Sequence, residues 1–491
     1  MHRLSRLSTR SFSFALVGGG LLILTLFPPC TASQPADRLT APEAWKNQGL
    51  RVLSTWHTHA RDTTHGAFHS HLDRRWQRLS DTDKYPGMVA RHVFSYSAAY
   101  LLAGNPEHLQ QAKALVDFMI EHGWDERYGG WYNSVSREGA VTDSTKDLFM
   151  QIYAATGLTL YYTATRNDRA LRYVEATNRI LEDHAWDETH GGYVNALNRT
   201  LSVHDSHKDF TPQGATLSGH LLYLYHATRD AAYLDQMERV IGVMRGPMRT
   251  PGLPWIYERF AASWQFLPDS PKNASLNVGH NIELAWLLLR LHALTGTDAY
   301  QHEALRLSDA LRERALAASG AWVTHLMLPE LQPSAASSWW MQAYGNMFAL
   351  ALHEATGEAS ALDDFRRGAA FWNRAFIDST YGGAVLKTTL QGDITRGTKA
   401  VRSKTSYHSL EHALLNALYL GLGPAEAPIT LHFRVADPKP GETLYPLPIA
   451  VDATIKEVTI NGAPWADTSA DPPAVHLPDR DGPLRIQVTL Q

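Results

Sequence analysis

Trp124-Asp-Glu-Arg-Tyr-Gly-Gly-Trp131 and Trp186-Asp-Glu-Thr-His-Gly-Gly-Tyr193 are two copies of one phrase. A third is Ile377-Asp-Ser-Thr-Tyr-Gly-Gly-Ala384, and a shorter one is Asp62-Thr-Thr-His-Gly-Ala-Phe68. Gly66, Gly129 and Gly191 lie 63 and 62 residues apart, and Gly382 follows 191 residues later. The last interval is close to three periods of about 64, so weaker copies are expected near Gly252-Leu-Pro-Trp and Gly320-Ala-Trp. A fixed period of this length marks stacked supersecondary units. The phrase itself reads as a tight turn in which Gly supplies a positive φ.

Each unit reads as two helices. The stretches 148–165, 170–183, 214–228, 282–295 and 341–356 carry apolar residues three and four positions apart. Arg166-Asn-Asp, Gly296-Thr-Asp and Gly357-Glu look like corners between helices. The segment 283–294 is apolar nearly all round, as a helix enclosed by others must be. The same repeats would also build an open superhelix. The chain has the length for one closed ring of six hairpins, so the expected fold is all-α, an (α/α)6 toroid spanning 40–425. Beyond Gly421-Leu-Gly-Pro, residues 429–435, 449–460 and 484–490 alternate apolar and polar and are rich in Thr and Val. Residues 428–491 are therefore expected to form a small C-terminal β appendage.

His2, Arg3, Arg6 and Arg10 precede an apolar run at 14–27, followed by Pro28-Pro-Cys-Thr-Ala32. Fourteen residues are too few to span a bilayer as a helix, which takes about 20. The layout is that of a secretory signal, 1–32, cleaved after Ala32. Export to a periplasm is thus expected, with no membrane span left after cleavage. A lipid anchor on Cys30 is the other reading of the same residues, but Phe27 and two prolines suit it poorly. Cys30 is the one cysteine, so the cleaved chain has no thiol for disulfides, thiolate catalysis or Cys-ligated zinc.

The formal net charge is −4, which gives no basic surface for nucleic acid. The 14 Trp, 20 Tyr and 24 His stand out. Aromatic rings stack on sugar faces and His titrates near neutrality, although a large helical core also buries many rings.

Four places combine residues that are costly to bury unused. In Gly279-His-Asn-Ile-Glu-Leu-Ala-Trp286, His280, Glu283 and Trp286 share roughly one helix face. A carboxylate beside His raises its basicity, which suits a proton-transfer base, and a satisfied core pair fits the spacing equally well. In Lys404-Thr-Ser-Tyr-His-Ser-Leu-Glu-His412, His408 and His412 stand at i, i+4, a spacing that also binds metal, with no third ligand apparent. Trp339-Trp-Met-Gln-Ala-Tyr344 opens a helix with two indoles, and Arg91 lies on an apolar, aromatic helix.

In order, residue type and context, these places resemble the N-acylglucosamine 2-epimerase family, over roughly 45–425. Lys146-Asp-Leu-Phe-Met-Gln151 resembles a further family segment. The resemblance implies a sugar 2-epimerase or aldose–ketose isomerase acting on a free sugar or the reducing end of an oligosaccharide. It implies catalytic roles for His280, His408, Glu283 and Arg91. Trp286, Trp340, Trp339, Tyr407 and Tyr344 would line the sugar site. No cofactor or metal is implied, and a monomer or homodimer is expected. Two departures stand out. The family usually has Glu where Tyr344 stands. Its His and Glu on another inner helix fall at Thr216 and Gly219, with Pro212 at an Asn site, and His220 would compensate only if that helix were shifted. An exported glycoside hydrolase or polysaccharide lyase on a similar toroid, with Glu258, Asp143, Asp147 or Asp209 as its carboxylates, and a non-catalytic sugar binder are the rival readings.

Overall fold

A computed structural model describes residues 39–249 and 253–491. The leader at 1–32 and Gly252 lie outside the described residues. Among the described residues, twelve helices alternate between an outer and an inner layer. The outer ones are α1 (Pro42–Ala60), α3 (Pro106–Phe118), α5 (Asp168–Ile180), α7 (Ala231–Arg245), α9 (Asp298–Ala315) and α11 (Ala359–Phe371). The inner ones are α2 (Pro86–Ala103), α4 (Leu148–Thr165), α6 (210–228), α8 (Val278–Thr295), α10 (Trp339–Thr356) and α12 (Tyr407–Leu422). Each inner helix packs on the next, and α12 packs on both α2 and α1, so the ring closes and the open superhelix is excluded. Every residue of α2 from Pro86 to Leu102 is buried. Gly157 on α4 lets the two helices meet, since a Cβ there would sit 2.1 Å from the carbonyl oxygen of Ala90.

The repeated phrase is the turn that brings each outer helix back toward the next inner one. All six turns close with the same antiparallel bridge: Arg61 with Phe68, Trp124 with Trp131, Trp186 with Tyr193, Arg249 with Ile256, Leu316 with Trp322, and Ile377 with Ala384. The two weak copies are thus present, without the Asp. Where Asp is present, one carboxylate oxygen accepts the turn's own amides, as Asp125 does from Arg127 and Tyr128. A lysine from the chain leading into the next inner helix then pairs with it: Lys84 with Asp62 at 3.1 Å, Lys146 with Asp125 at 3.2 Å, Lys208 with Asp187 at 3.0 Å and Lys399 with Asp378 at 2.8 Å. All four lysine side chains are fully buried. Each also donates to a turn glycine's carbonyl. At Gly130, φ is 76° and a Cβ would press on Gln151 and Lys146, so only Gly fits. A second device clamps four turns. Gln151, Gln213 and Asn281 each accept from and donate to the backbone of Trp131, Tyr193 and Ile256. Gln342 accepts from Trp322 and donates to Gly320. Every turn therefore has at least one clamp.

Two expected elements differ. The stretch 214–228 begins earlier, at Phe210, and its centre, Thr216–Leu221, is π-helical. The expected strand 449–460 begins only at Ile455. Pro446 and Pro448 cannot donate to a ladder, and the carbonyl of Ala450 is taken by Arg290 of α8 instead of a neighbouring strand. The strands Ile429–Val435 and Leu484–Leu490 pair in antiparallel register, Ile429 opposite Leu490 and Val435 opposite Leu484. Ile455–Ile460 lies on the other side of Leu484–Leu490. The connection that follows Val435 is tied to the ring by Arg166 with Glu442 at 2.9 Å and Lys439 with Asp168 at 2.5 Å. Among the described residues no helix is long and apolar enough to cross a membrane.

The turn clamps make a stability prediction. Burial would raise the Asp125 carboxyl, but the hydrogen bond from Arg199 and the charge of Lys146 outweigh it and hold it at about 2. The unfolded value is about 3.9, so the stability this group contributes is complete above about pH 4 and lost as the pH falls toward 2. Asp125→Ala leaves Lys146 buried without its counter-ion and costs about 3–5 kcal/mol. Urea unfolding at pH 7 should show that loss, and it should shrink as the pH approaches 2.

Candidate active site

The short strands Lys146–Asp147, Lys208–Asp209, Ser275–Asn277 and Ala336–Ser338 lead directly into α4, α6, α8 and α10. The inner helices therefore all start on one side of the ring. A cavity of about 320 Å³ opens there. Its walls come from the first two turns of all six: Arg91 of α2, Phe149 and Tyr153 of α4, Phe210 and Thr211 of α6, His280 and Glu283 of α8, Trp339, Trp340 and Tyr344 of α10, and His408 of α12. Helix N-termini carry positive partial charge, so six of them converging favour negative charge in the cavity.

The structure brings His280, Glu283, Arg91, His408, Trp339, Trp340 and Tyr344 together at this cavity. The two imidazoles flank α10: ring centroids lie 5.4 Å from Trp340 for His280 and 6.2 Å for His408. Arg91 sits with its guanidinium 3.6 Å over the ring of Tyr153, and its Nη1 donates to the carbonyl of Ser403 at 2.9 Å. The indole N–H of Trp339 and the Nε of Arg91 are buried with no protein partner.

Two expectations are corrected, and two neighbouring residues are placed. Trp286 does not reach the cavity. It is fully buried behind Tyr344, and its indole donates to the Tyr419 hydroxyl at 3.0 Å. Tyr407 also lies behind the wall, its hydroxyl donating to Glu411 at 2.6 Å. Glu283 does not hydrogen-bond His280. It accepts from Ser218 of the π-helical segment, and it influences His280 only through space. His220 does not replace the missing inner-helix residues, because it points outward to Asn178 of α5 at 3.0 Å. His412 likewise turns from His408 toward Asn346 at 3.1 Å, and no cluster of three metal-type ligands occurs among the described residues.

The direct partners of the two histidines were not assigned from sequence. Nδ1 of His280 lies 2.8 Å from Glu258, and the ring stacks on Phe210 at 4.2 Å. Nδ1 of His408 lies 3.1 Å from Glu411, whose other oxygen accepts from Tyr407 and Tyr223. The repeat held a signal for Glu258. It stands two residues after the bridging Ile256, where the second and third units have Asn133 and Asn195 after Trp131 and Tyr193.

The two pairs titrate differently. Burial would lower His280, but the carboxylate of Glu258 outweighs it and the imidazole ends above its ordinary value. Burial, then the charges of Arg91 and Lys404, push His408 well below its ordinary value. Burial raises Glu411 to about 7 and Glu283 to about 7. Two groups of one kind with opposite displacements are the usual basis for separate acid and base roles. Asp143, Asp147 and Asp209 do not line the cavity, Glu258 is engaged by His280, and Glu283 is the one lining carboxylate. The carboxylate pair of a hydrolase is thus not assembled here.

The family model for N-acylglucosamine 2-epimerase matches residues 66–412. The chain belongs to this family. It is an isomerase. The cellobiose 2-epimerase of Bacteroides fragilis is 25% identical over 387 residues, covering 76% of this chain and 97% of that one. The D-mannose isomerase of Marinomonas mediterranea is 22% identical, covering 65% of this chain and 83% of its own. Among solved structures, the cellobiose 2-epimerase of Spirochaeta thermophila superposes with a TM-score of 0.72 at 22% identity, over 79% of this chain and 98% of that one.

The His280–Glu258 pair can be tested without substrate. Glu258→Gln removes the charge that raises His280, so the imidazole should titrate lower in the variant. Nitrogen-15 NMR titration of the ring reports it directly, and an unchanged midpoint would show that Glu258 does not set it.

Proposed function

We propose that this enzyme interconverts sugars by proton transfer at the carbon next to the carbonyl, as a 2-epimerase or aldose–ketose isomerase. The observation that carries the reading is the pair of histidines, His408 buried and His280 largely so, in one aromatic-lined cavity, each on its own carboxylate and displaced in opposite directions. The C2 proton of an aldose is weakly acidic, so its removal needs a positioned base and a site that stabilises the enediolate. When Glu411 is ionised, Nδ1–H of His408 donates to it and Nε2 keeps its lone pair, ready to take the proton. His280, kept protonated by Glu258, is the complementary acid. Return of the proton to C2 on the other face gives the epimer, and return to C1 gives the ketose. Arg91 and the six helix N-termini supply positive charge for the enediolate. Trp340 offers a partly exposed indole face for the sugar ring. The family names its members for both outcomes, and the names of the relatives, cellobiose 2-epimerase and D-mannose isomerase, support the class of substrate.

Proton NMR in D₂O with mannose, glucose, N-acetylglucosamine, cellobiose and mannobiose is the direct test. Loss of the C2 proton signal with appearance of an epimer or ketose is the expected result, and no exchange with any of them would sink the reading. His408→Asn and His280→Asn should each lower kcat by about 10²–10⁴ with the helical circular dichroism retained. Because Glu411 titrates at about 7, kcat/KM should rise with pH up to about 7 as the base form accumulates, then fall as His280 loses its proton. Glu258→Gln should move the alkaline limb to lower pH.

A further inference from the structure

The cavity has a second charged feature that proton transfer does not use. Lys387 and Arg396 both line it. They stand on the strands Lys387–Thr389 and Ile394–Arg396, paired directly opposite each other. Like charges in that register destabilise a hairpin. Neither side chain has a hydrogen bond or ion pair to any described residue. Several neighbouring cations are matched: Lys399 and Arg74 share Asp378, Lys272 and Arg259 share Asp209, and Arg402 faces Asp147. Lys387 also acts on His325, which burial first and then this charge hold below its ordinary value. Depth separates this pair from His408 and Glu283. His408 and Glu283 are each 6% exposed, Lys387 is half-buried and Arg396 is exposed, so the two cations stand at the mouth while the carbonyl chemistry lies at the floor.

We propose that the preferred substrate is an aldose carrying an anionic group at the end remote from its carbonyl, held at the mouth by Lys387 and Arg396. The inference rests on the isomerase reading above. A carboxylate, as in a hexuronic acid, and a phosphate ester share the chemistry that two adjacent cations recognise, since Arg and Lys donate charge-assisted hydrogen bonds to both. A neutral sugar leaves the like-charge pair uncompensated. An acidic one neutralises it on binding.

C2 exchange in D₂O should be measured with glucose and cellobiose against glucuronate and glucose 6-phosphate, at low and at high salt. The expected result is a kcat/KM about 10- to 30-fold higher for one or both acidic aldoses than for glucose, expressed in KM. The advantage should shrink at high salt, as an exposed pair requires. Preference between glucuronate and glucose 6-phosphate identifies the anionic group. The K387Q/R396Q double variant should bring the acidic aldose down to the rate of glucose. Equal or slower turnover of both acidic aldoses by the unaltered enzyme, or a preference that survives in the double variant, would overturn the proposal. Exchange with neutral sugars alone defeats this inference and leaves the isomerase reading standing. Silence toward every aldose defeats both.

Discussion

A lysine ammonium with no exposure, placed against an aspartate inside a glycine turn, is the interaction on which the ring depends. Each outer helix must reverse and deliver the chain to the next inner helix at a fixed height. The turn alone would leave its amides and carbonyls unmatched in a buried place. The aspartate takes the amides, the lysine takes a glycine carbonyl, and their opposite charges hold the two together. Where the aspartate is missing, in the fourth and fifth units, Asn281 and Gln342 hold the turn with side-chain amides instead. Because the lysine lies just before the inner helix, or on the loop that leads to it, the clamp also sets where that helix begins. That position decides which residue meets the cavity.

The cavity uses the same scarcity of water differently. Burial lowers a histidine and raises a carboxyl, so an isolated His or Glu on these walls would be neutral. Pairing decides which of them keep a charge. Glu258 returns a proton to His280, whereas Arg91 and Lys404 add positive charge around His408 and deepen its loss. The asymmetry between two chemically identical rings is a property of their neighbours.

Much of the ring was legible. The spacing of four glycine markers located all six turns, and the helix 148–165 and the strands 429–435 and 484–490 are found with those bounds. Apolar periodicity cannot show what ties one element to another, so the Asp–Lys clamps passed unseen, although Lys84, Lys146 and Lys208 recur with the turns' own period. Helix-face arithmetic put His280, Glu283 and Trp286 on one face, and the family resemblance implied that all three line the site. At i+6 from His280, Trp286 lies almost two turns deeper, where α8 is enclosed by its neighbours. The same arithmetic paired His280 with Glu283, three residues away, whereas the carboxylate that bonds it arrives from the fourth turn, 22 residues earlier. A partner brought by tertiary packing leaves no mark in the spacing of one helix. The π-helical stretch of α6 left no mark either, and it is what brings Ser218 onto Glu283 and sends His220 outward.

The inner helices meet the cavity only through their first two turns, and each is anchored by its own clamp. A substitution at Thr211, Tyr344 or Arg396 therefore alters one wall and leaves the neighbouring hairpins in place. Six separately supported panels make a pocket whose contents can change one panel at a time, with no repacking of the ring as a whole.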